Sequence, residues 1–96
     1  METFIFARFH ARPGNEAKVA EALIDVLSPT RAEPGCINIS AFRSKRDSQL
    51  FFIHSRWKDE IAFERHIKLL HTMQFVERIE PLIDHAFDLS RTEKIG

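Results

Sequence analysis

The sequence has no tyrosine, only one cysteine and no net charge. Without tyrosine, the chain has no phenol side chain to serve as an acid or base in catalysis. Its aromatic residues are nine phenylalanines and one tryptophan. The single cysteine, Cys36, cannot form a disulfide within the chain, and no neighbouring residue marks it as a nucleophile. We therefore interpret Cys36 as a small buried residue.

We expect no segment that directs the chain to a membrane or out of the cell. Residues 1–5 have neither a basic stretch nor a long apolar run, so no signal peptide is recognised. No apolar stretch approaches the roughly 20 residues that span a bilayer. Together with the unpaired cysteine, these features predict a cytoplasmic protein with no membrane partner.

Charge balance argues against nucleic acid as a partner. Fourteen lysine and arginine residues offset fourteen acidic residues, so no net field attracts a polyanion. A chain of 96 residues has room for one small domain with a modest core. We therefore treat residues 1–96 as a single domain.

Apolar spacing predicts four strands, one long helix and a second helical region broken in two. The predicted strands are 3–12, 36–43, 49–57 and 83–91, and the predicted helices are 15–31, 59–67 and 72–80. Asp59 is a candidate cap for the second helix, and Glu33-Pro34-Gly35 ends the first helical region. The buried stripe of the second helix is predicted to be Ile61, Ala62, Phe63, His66 and Ile67.

The order βαββαβ predicts a ferredoxin-like α+β fold, an antiparallel sheet with its helices on one face. The other face would then be bare. Strands one and three carry successive apolar residues, as in Phe4-Ile5-Phe6 and Leu50-Phe51-Phe52-Ile53, so both of their faces favour burial. We expect a homodimer through the helix-free face of the sheet, the alternative being an irregular monomer with a few exposed phenylalanines.

The order and spacing of several motifs resemble the antibiotic biosynthesis monooxygenase (ABM) domain. These motifs are Glu33-Pro34-Gly35-Cys36, the strand end Arg56-Trp57-Lys58-Asp59-Glu60, the Ala62-x-x-x-His66 helix, and the four-residue gap to His71. Within that family the chain is similar to quinol monooxygenases and autoinducer-2-degrading proteins. The resemblance implies a dimeric α+β barrel with a pocket between sheet and helices, and in some members oxygenation without metal, haem or flavin.

Two histidines among apolar neighbours are the candidate catalytic residues. His66 lies one turn after Phe63 and could act as a general base that removes a phenolic proton, or it could be a structural core histidine. His71 precedes the third predicted helix, where it could cap backbone groups or face the mouth of the pocket.

Six further residues are candidates for substrate binding. Trp57 could stack on a planar substrate or wedge the sheet against the following helix. Asn38 and Ser40 are small polar groups that could hydrogen-bond a substrate or be satisfied locally. Arg8 could hold a ligand oxygen or an interfacial carboxylate. The apolar wall is assigned to phenylalanines, among them Phe63 and Phe75.

No cofactor or metal is expected, apart from molecular oxygen as co-substrate. The chain has no Gly-rich nucleotide loop. His66 and His71 lie five residues apart across a helix break, unlike the i, i+4 ligand pairs of helices, and no carboxylate clearly converges on them. Haem degradation is disfavoured, since the first strand has no asparagine and the helix after His71 has no histidine, both of which the haem-degrading relatives need.

The leading hypothesis is a small cofactor-independent monooxygenase that oxidises a quinol or phenolic compound. A second is isomerisation or degradation of a small signalling metabolite, which a basic pocket containing Arg8, Arg56 or Lys68 would favour. A third is a non-catalytic ligand-binding dimeric module, because fold alone does not settle activity.

Overall fold

The computed structural model describes residues 1–96 and contains four strands and three helices. In chain order these are β1 (Thr3–His10), α1 (Glu16–Arg31), β2 (Cys36–Arg43), β3 (Leu50–Trp57), α2 (Glu60–His66), α3 (Leu70–Ile79) and β4 (Asp88–Thr92), with a single 3₁₀ turn at Glu80–Leu82 between α3 and β4. The predicted order βαββαβ, with its second helix broken in two, is confirmed.

The four strands form one antiparallel sheet in the order β2-β3-β1-β4. Alternate residues of β1 and β3 are buried, so one face of the sheet packs against the helices. That helix-side face carries Ile5, Phe9 and Ile53, together with Trp57, which is fully buried. The two central strands therefore supply the floor of the core.

Helix α1 covers this floor because its apolar residues recur with helical spacing. Val19, Ala22, Leu23 and Val26 are buried, and with residues of β1, β2 and β3 they form the main core cluster. Helix α2 starts where Asp59 accepts a hydrogen bond from the Ala62 backbone N–H at 2.8 Å, as predicted. Its Ala62 and Phe63 pack with Ile5 and Trp57 in a second, smaller cluster.

Three details of the sequence prediction are wrong. Helix α3 begins at Leu70 instead of residue 72, so His71 lies in its first turn and does not precede it. The last strand begins only at Asp88; Ile83 forms just an isolated bridge with Ala11, because Pro81 lies in the 3₁₀ turn directly before it. On α2, Ile61 and Ile67 are exposed, and only the other three residues of the predicted stripe are buried.

The opposite face of the sheet has no helix on it. Phe6 and Phe42 are more than half exposed there, at 53% and 52%. His54 stacks on Phe6 with 4.6 Å between ring centroids, and Arg56 pairs with Glu2 at 2.6 Å. We call this surface the open face; it combines large apolar rings with charged groups.

None of the three helices combines the length and the apolar content that crossing a bilayer would require.

An ion-pair cluster closes the far end of β1. The His10 ring lies 2.6 Å from an Asp84 oxygen through Nδ1 and 3.3 Å from Asp47 through Nε2, and His85 also contacts Asp84. The hydrogen bond to Asp84 raises the pKa of His10, and the same bond lowers the pKa of Asp84. The cluster thus joins β1 to the β2–β3 loop and to the segment that precedes β4.

Replacing Asp84 with Asn should therefore lower the melting temperature in a pH-dependent way. The pair stabilises the fold fully between the unfolded-state pKa of Asp84, 3.8, and that of His10, 6.5. The stabilisation is lost as pH rises through the raised pKa of His10, and also as pH falls through the lowered pKa of Asp84. Thermal unfolding at pH 5.5 and pH 8.5 measures this; an equal effect of the substitution at both values would contradict it.

Candidate active site

An apolar cavity of about 90 Å³ lies between the helix-side face of the sheet and the three helices. Most of its wall is aliphatic or aromatic, and all four strands contribute residues to it. Four polar side chains also line it: Thr30, Ser55, His66 and Thr72. A largely apolar lining with a few convergent polar groups is typical of a small-molecule site, but this cavity is smaller than the roughly 300–1,000 Å³ that such sites usually have.

His66 and His71 share one carboxylate oxygen at the edge of this cavity. Glu33 Oε2 lies 2.8 Å from His66 Nδ1 and 2.6 Å from His71 Nε2. The Glu33 side chain is only 7% exposed. Because a carboxylate oxygen only accepts hydrogen bonds when ionised, both ring nitrogens act as donors to it.

Backbone geometry brings the three residues together. Gly35 has a φ of +90°, and a Cβ added there would lie 2.7 Å from the Ala62 side chain. Only glycine therefore permits the loop after α1 to pass this close to α2. His66 is the last residue of α2 and His71 the second of α3, so the sharp break between these helices turns both rings toward Glu33.

The surroundings of His66 keep it neutral near pH 7. Its ring lies 4.7 Å from the Trp57 ring and 5.6 Å from the Phe63 ring, measured between centroids. Burial lowers the pKa of His66 below its ordinary value of 6.5, and it outweighs the hydrogen bond and charge of Glu33, which act in the opposite direction. The neutral ring that results can accept a proton.

The Glu33 contact also fixes which nitrogen of His66 is free. With Nδ1–H donating to Glu33, and Thr72 Oγ1 at 3.3 Å from the same nitrogen, Nε2 carries the lone pair. No protein group hydrogen-bonds to Nε2. This is the arrangement of a base oriented by a carboxylate. The proton-accepting atom, Nε2, belongs to a residue that lines the cavity.

His71 lies on the other side of Glu33, next to solvent. Its side chain is 28% exposed and lines an outer cleft of about 270 Å³ between α1 and α3. Val26 and Phe75 line both the cleft and the cavity. Glu33 thus links an inner histidine to an outer one.

Among the four polar side chains of the cavity wall, only that of Thr30 makes no hydrogen bond. Ser55 Oγ accepts the Trp57 indole N–H at 2.9 Å, and Thr72 contacts His66. Thr30 is 0% exposed, and its Oγ1 is the only buried side-chain oxygen or nitrogen in the protein that has no hydrogen-bond partner. Such a group ordinarily carries an energetic cost.

The structure separates the predicted site residues into two groups. His66, Phe63 and Phe75 line the cavity, and His71 joins them through Glu33. Trp57 does not line the cavity; it packs against His66 and Phe63 and is fully buried.

Arg8, Asn38 and Ser40 are not brought to these histidines. The strand register pairs Arg8 with Phe52, Asn38 with Arg56, and Ser40 with His54. All three therefore point to the open face, across the sheet from the cavity.

Glu33 is the site residue that sequence reasoning missed, and the expectation that no carboxylate converges on the histidines is wrong. Glu33 stands in the Glu33-Pro34-Gly35 segment, where Pro34 and Gly35 indicate the end of a helix and nothing indicates a contact with the histidines. The donor atoms of Glu33, His66 and His71 lie within 4.8 Å of one another, a set of two histidines and one carboxylate that could hold a divalent metal. Hydrogen bonds already join Glu33 Oε2 to His66 Nδ1 and to His71 Nε2.

Comparison with known proteins places the chain in a family. The sequence model of the antibiotic biosynthesis monooxygenase family matches residues 3–78, so the chain belongs to that family. This confirms the resemblance based on the Glu33–Cys36 and Trp57–His71 motifs. The fold and a general monooxygenase-like function follow from it; a substrate does not.

Individual relatives are distant but match most of the chain. YcnE of Bacillus subtilis is 25% identical over 87 residues, covering 91% of this chain and 92% of that protein, and its name proposes a monooxygenase without a substrate. The structure of PA3566 from Pseudomonas aeruginosa has a TM-score of 0.91 at 26% identity and covers 99% of this chain and 95% of that one. A third relative, sll1783 of Synechocystis, is 28% identical over 57 residues, which are 59% of this chain but 39% of that longer protein.

Replacing Thr30 with Val should stabilise the protein, which is unusual for a fully buried position. The isosteric change removes an unsatisfied hydroxyl, so we expect the free energy of unfolding to rise by about 1 kcal/mol. Urea unfolding measures this.

Thr72→Val is the matched control, since it removes a hydroxyl that has a partner. It should lower the free energy of unfolding by about 1 kcal/mol. A loss of stability in Thr30→Val as large as that in Thr72→Val would show that the Thr30 hydroxyl is satisfied.

Proposed function

We propose that this protein is a monooxygenase that oxidises a one-ring phenol or quinol with molecular oxygen and needs no resident cofactor. The observation that carries the proposal is the free Nε2 of His66, a neutral base held by Glu33 at the wall of an apolar cavity. Membership of the antibiotic biosynthesis monooxygenase family supports the reaction class.

The reaction begins with proton transfer to His66. Nε2 takes the proton of a phenolic hydroxyl, and Glu33 stabilises the imidazolium that forms. The phenolate is richer in electrons than the phenol and passes one electron to dioxygen, which leaves a phenoxyl radical and superoxide. These two combine at a ring carbon that bears hydrogen, and the imidazolium returns its proton to give a hydroperoxide.

The second half of the reaction releases water. His66 removes the hydrogen from the ring carbon as a proton, a C=O bond forms, and the O–O bond breaks to give hydroxide. The hydroxide takes that proton and leaves as water. For a dihydroxyaromatic ring the balance is one ring plus O₂ giving one hydroxyquinone plus H₂O, with the ring oxidised and oxygen reduced.

His71 holds Glu33 in place from the solvent side. Its Nε2–H donates to the same carboxylate oxygen that accepts from His66, and its ring lines the outer cleft. Since both rings are donors to Glu33, the carboxylate orients His66 and does not pass its proton on to His71. In this scheme His71 is a positioning residue, and His66 is the catalytic base.

The size of the cavity limits the substrate. An engineered apolar cavity of about 150 Å³ accommodates benzene, so a cavity of about 90 Å³ takes one ring only after side chains shift. Phe75 and Leu89, both of which line the cavity and are partly exposed, are suitably placed to move. A substrate with fused rings would need a larger rearrangement.

The isomerase alternative has less support from the site. It depended on a basic pocket, but Arg8 and Arg56 lie on the open face, and the cavity wall contains no lysine or arginine. A purely ligand-binding module would not need a carboxylate that orients a buried histidine.

The proposed active form is a homodimer joined through the open face. Phe6 and Phe42 are the large apolar rings that a second copy would cover, and the apolar residues of this face are flanked by the Arg56–Glu2 pair. A second copy related by a two-fold axis presents the same combination of rings and charges, so the face is suited to pairing with itself.

Light scattering at micromolar concentration should therefore give twice the 11.2 kDa chain mass. Phe6→Glu should yield a folded monomer, because it would bury a charge in the interface. Ile61→Glu is the matched control, since Ile61 is an exposed apolar residue on α2, away from the open face, and it should stay dimeric. A wild-type protein of single-chain mass would overturn this part of the proposal.

Oxygen uptake with a panel of one-ring hydroquinones tests the catalytic assignment. His66→Gln and Glu33→Gln should each lower turnover by roughly 10²–10⁴-fold, and His71→Gln should cost less. In the wild type, kcat/KM should rise with pH through an inflection below 6.5, because the pKa of His66 is lowered. Glu33→Gln should move that inflection to still lower pH, because the carboxylate that favours the charged ring is gone.

His85→Gln is the control for these substitutions, since His85 is an exposed histidine away from the cavity. It should retain wild-type turnover and the wild-type inflection. Full activity of His66→Gln on a substrate that the wild type oxidises would show that His66 is a core histidine and not the base.

A further inference from the structure

Two hydrogen-bonding points of the cavity wall have no protein partner. Ser55 is occupied by the Trp57 indole, and Thr72 contacts the Nδ1 edge of His66. The two that remain are Nε2 of His66 and Oγ1 of Thr30. The rest of the cavity wall is apolar.

We propose that the Thr30 hydroxyl is a substrate-recognition point that binds a second oxygen substituent of the ring, so that the site selects dioxygenated rings over simple phenols. This inference rests on the proposed function for the role of His66, which takes the first oxygen. The free Oγ1 of Thr30, fully buried at the wall of the same cavity, is the observation behind it.

The position of Thr30 makes a free hydroxyl unusual. In a helix a threonine hydroxyl can bond to the backbone carbonyl three or four residues earlier, which satisfies it when it is buried. Thr30 lies in the last turn of α1, directly after Pro29, and makes no such bond. Its hydroxyl therefore has both a donor hydrogen and acceptor lone pairs available to a ligand.

The chemistry of the wall then discriminates between substrates. A ring with two oxygens can satisfy both His66 and Thr30, whereas a ring with one oxygen and one methyl group of similar size leaves Thr30 unpaired. Sites built to hydrogen-bond a substrate hydroxyl reject analogues that lack it, because a buried polar group is left without a partner.

Isothermal titration calorimetry under nitrogen measures this preference without turnover. The probes are the three dihydroxybenzene isomers and the three methylphenols in which one hydroxyl is replaced by methyl. Wild type should bind at least one dihydroxybenzene about 3- to 10-fold more tightly than its methylphenol counterpart, the range expected for one neutral hydrogen bond. Thr30→Val should abolish that preference by weakening the dihydroxybenzene alone.

Thr30→Ser is the matched control, since it keeps the hydroxyl and should keep the preference. Retention of the full preference in Thr30→Val would overturn the assignment, as would wild-type binding of neither class. Oxygen uptake is measured separately on the same proteins. A Thr30-dependent preference without any oxygen uptake would leave the recognition point standing and refute the oxygenation.

Discussion

The site depends on one carboxylate oxygen that accepts hydrogen bonds from two histidines. Glu33 Oε2 holds His66 and His71 at 2.8 and 2.6 Å, and without it neither ring would have a fixed tautomer. The same contact ties the loop after α1 to the break between α2 and α3. Stability and chemistry are therefore combined in one interaction, and the helical layer is organised around it.

Most of the fold could be predicted from the sequence because its patterns are strong. The short apolar runs of β1 and β3, bounded by turn residues, and the helical spacing of apolar residues in α1 leave little choice of element type. The errors fall where local signals are weak. Helix α3 starts after Leu69, which makes no side-chain cap, so nothing in the sequence marks the start at Leu70.

The site could be predicted only in part. Both histidines are recognisable in the sequence as polar rings among apolar neighbours. Glu33 is not, because the adjacent Pro34 and Gly35 already explain that segment as the end of a helix. The placement of Asn38 and Arg8 depended on which face of each strand meets the helices, and strands with apolar residues on both faces do not indicate this. The burial of Trp57 decides it in the structure. Thr30 was undetectable, since its lack of a partner is a property of three-dimensional packing.

The close approach of Gly35 to Ala62 constrains how this sequence can diverge. A side chain at position 35 would meet Ala62 at 2.7 Å, so a larger residue at either position would push the loop away from α2 and carry Glu33 with it. Position 35 should therefore remain glycine, since its φ of +90° disfavours any side chain, and position 62 should remain small, although neither residue takes part in the chemistry. A survey of related sequences for glycine at position 35 and a small residue at position 62 would show whether the loop that carries Glu33 is kept this close to α2.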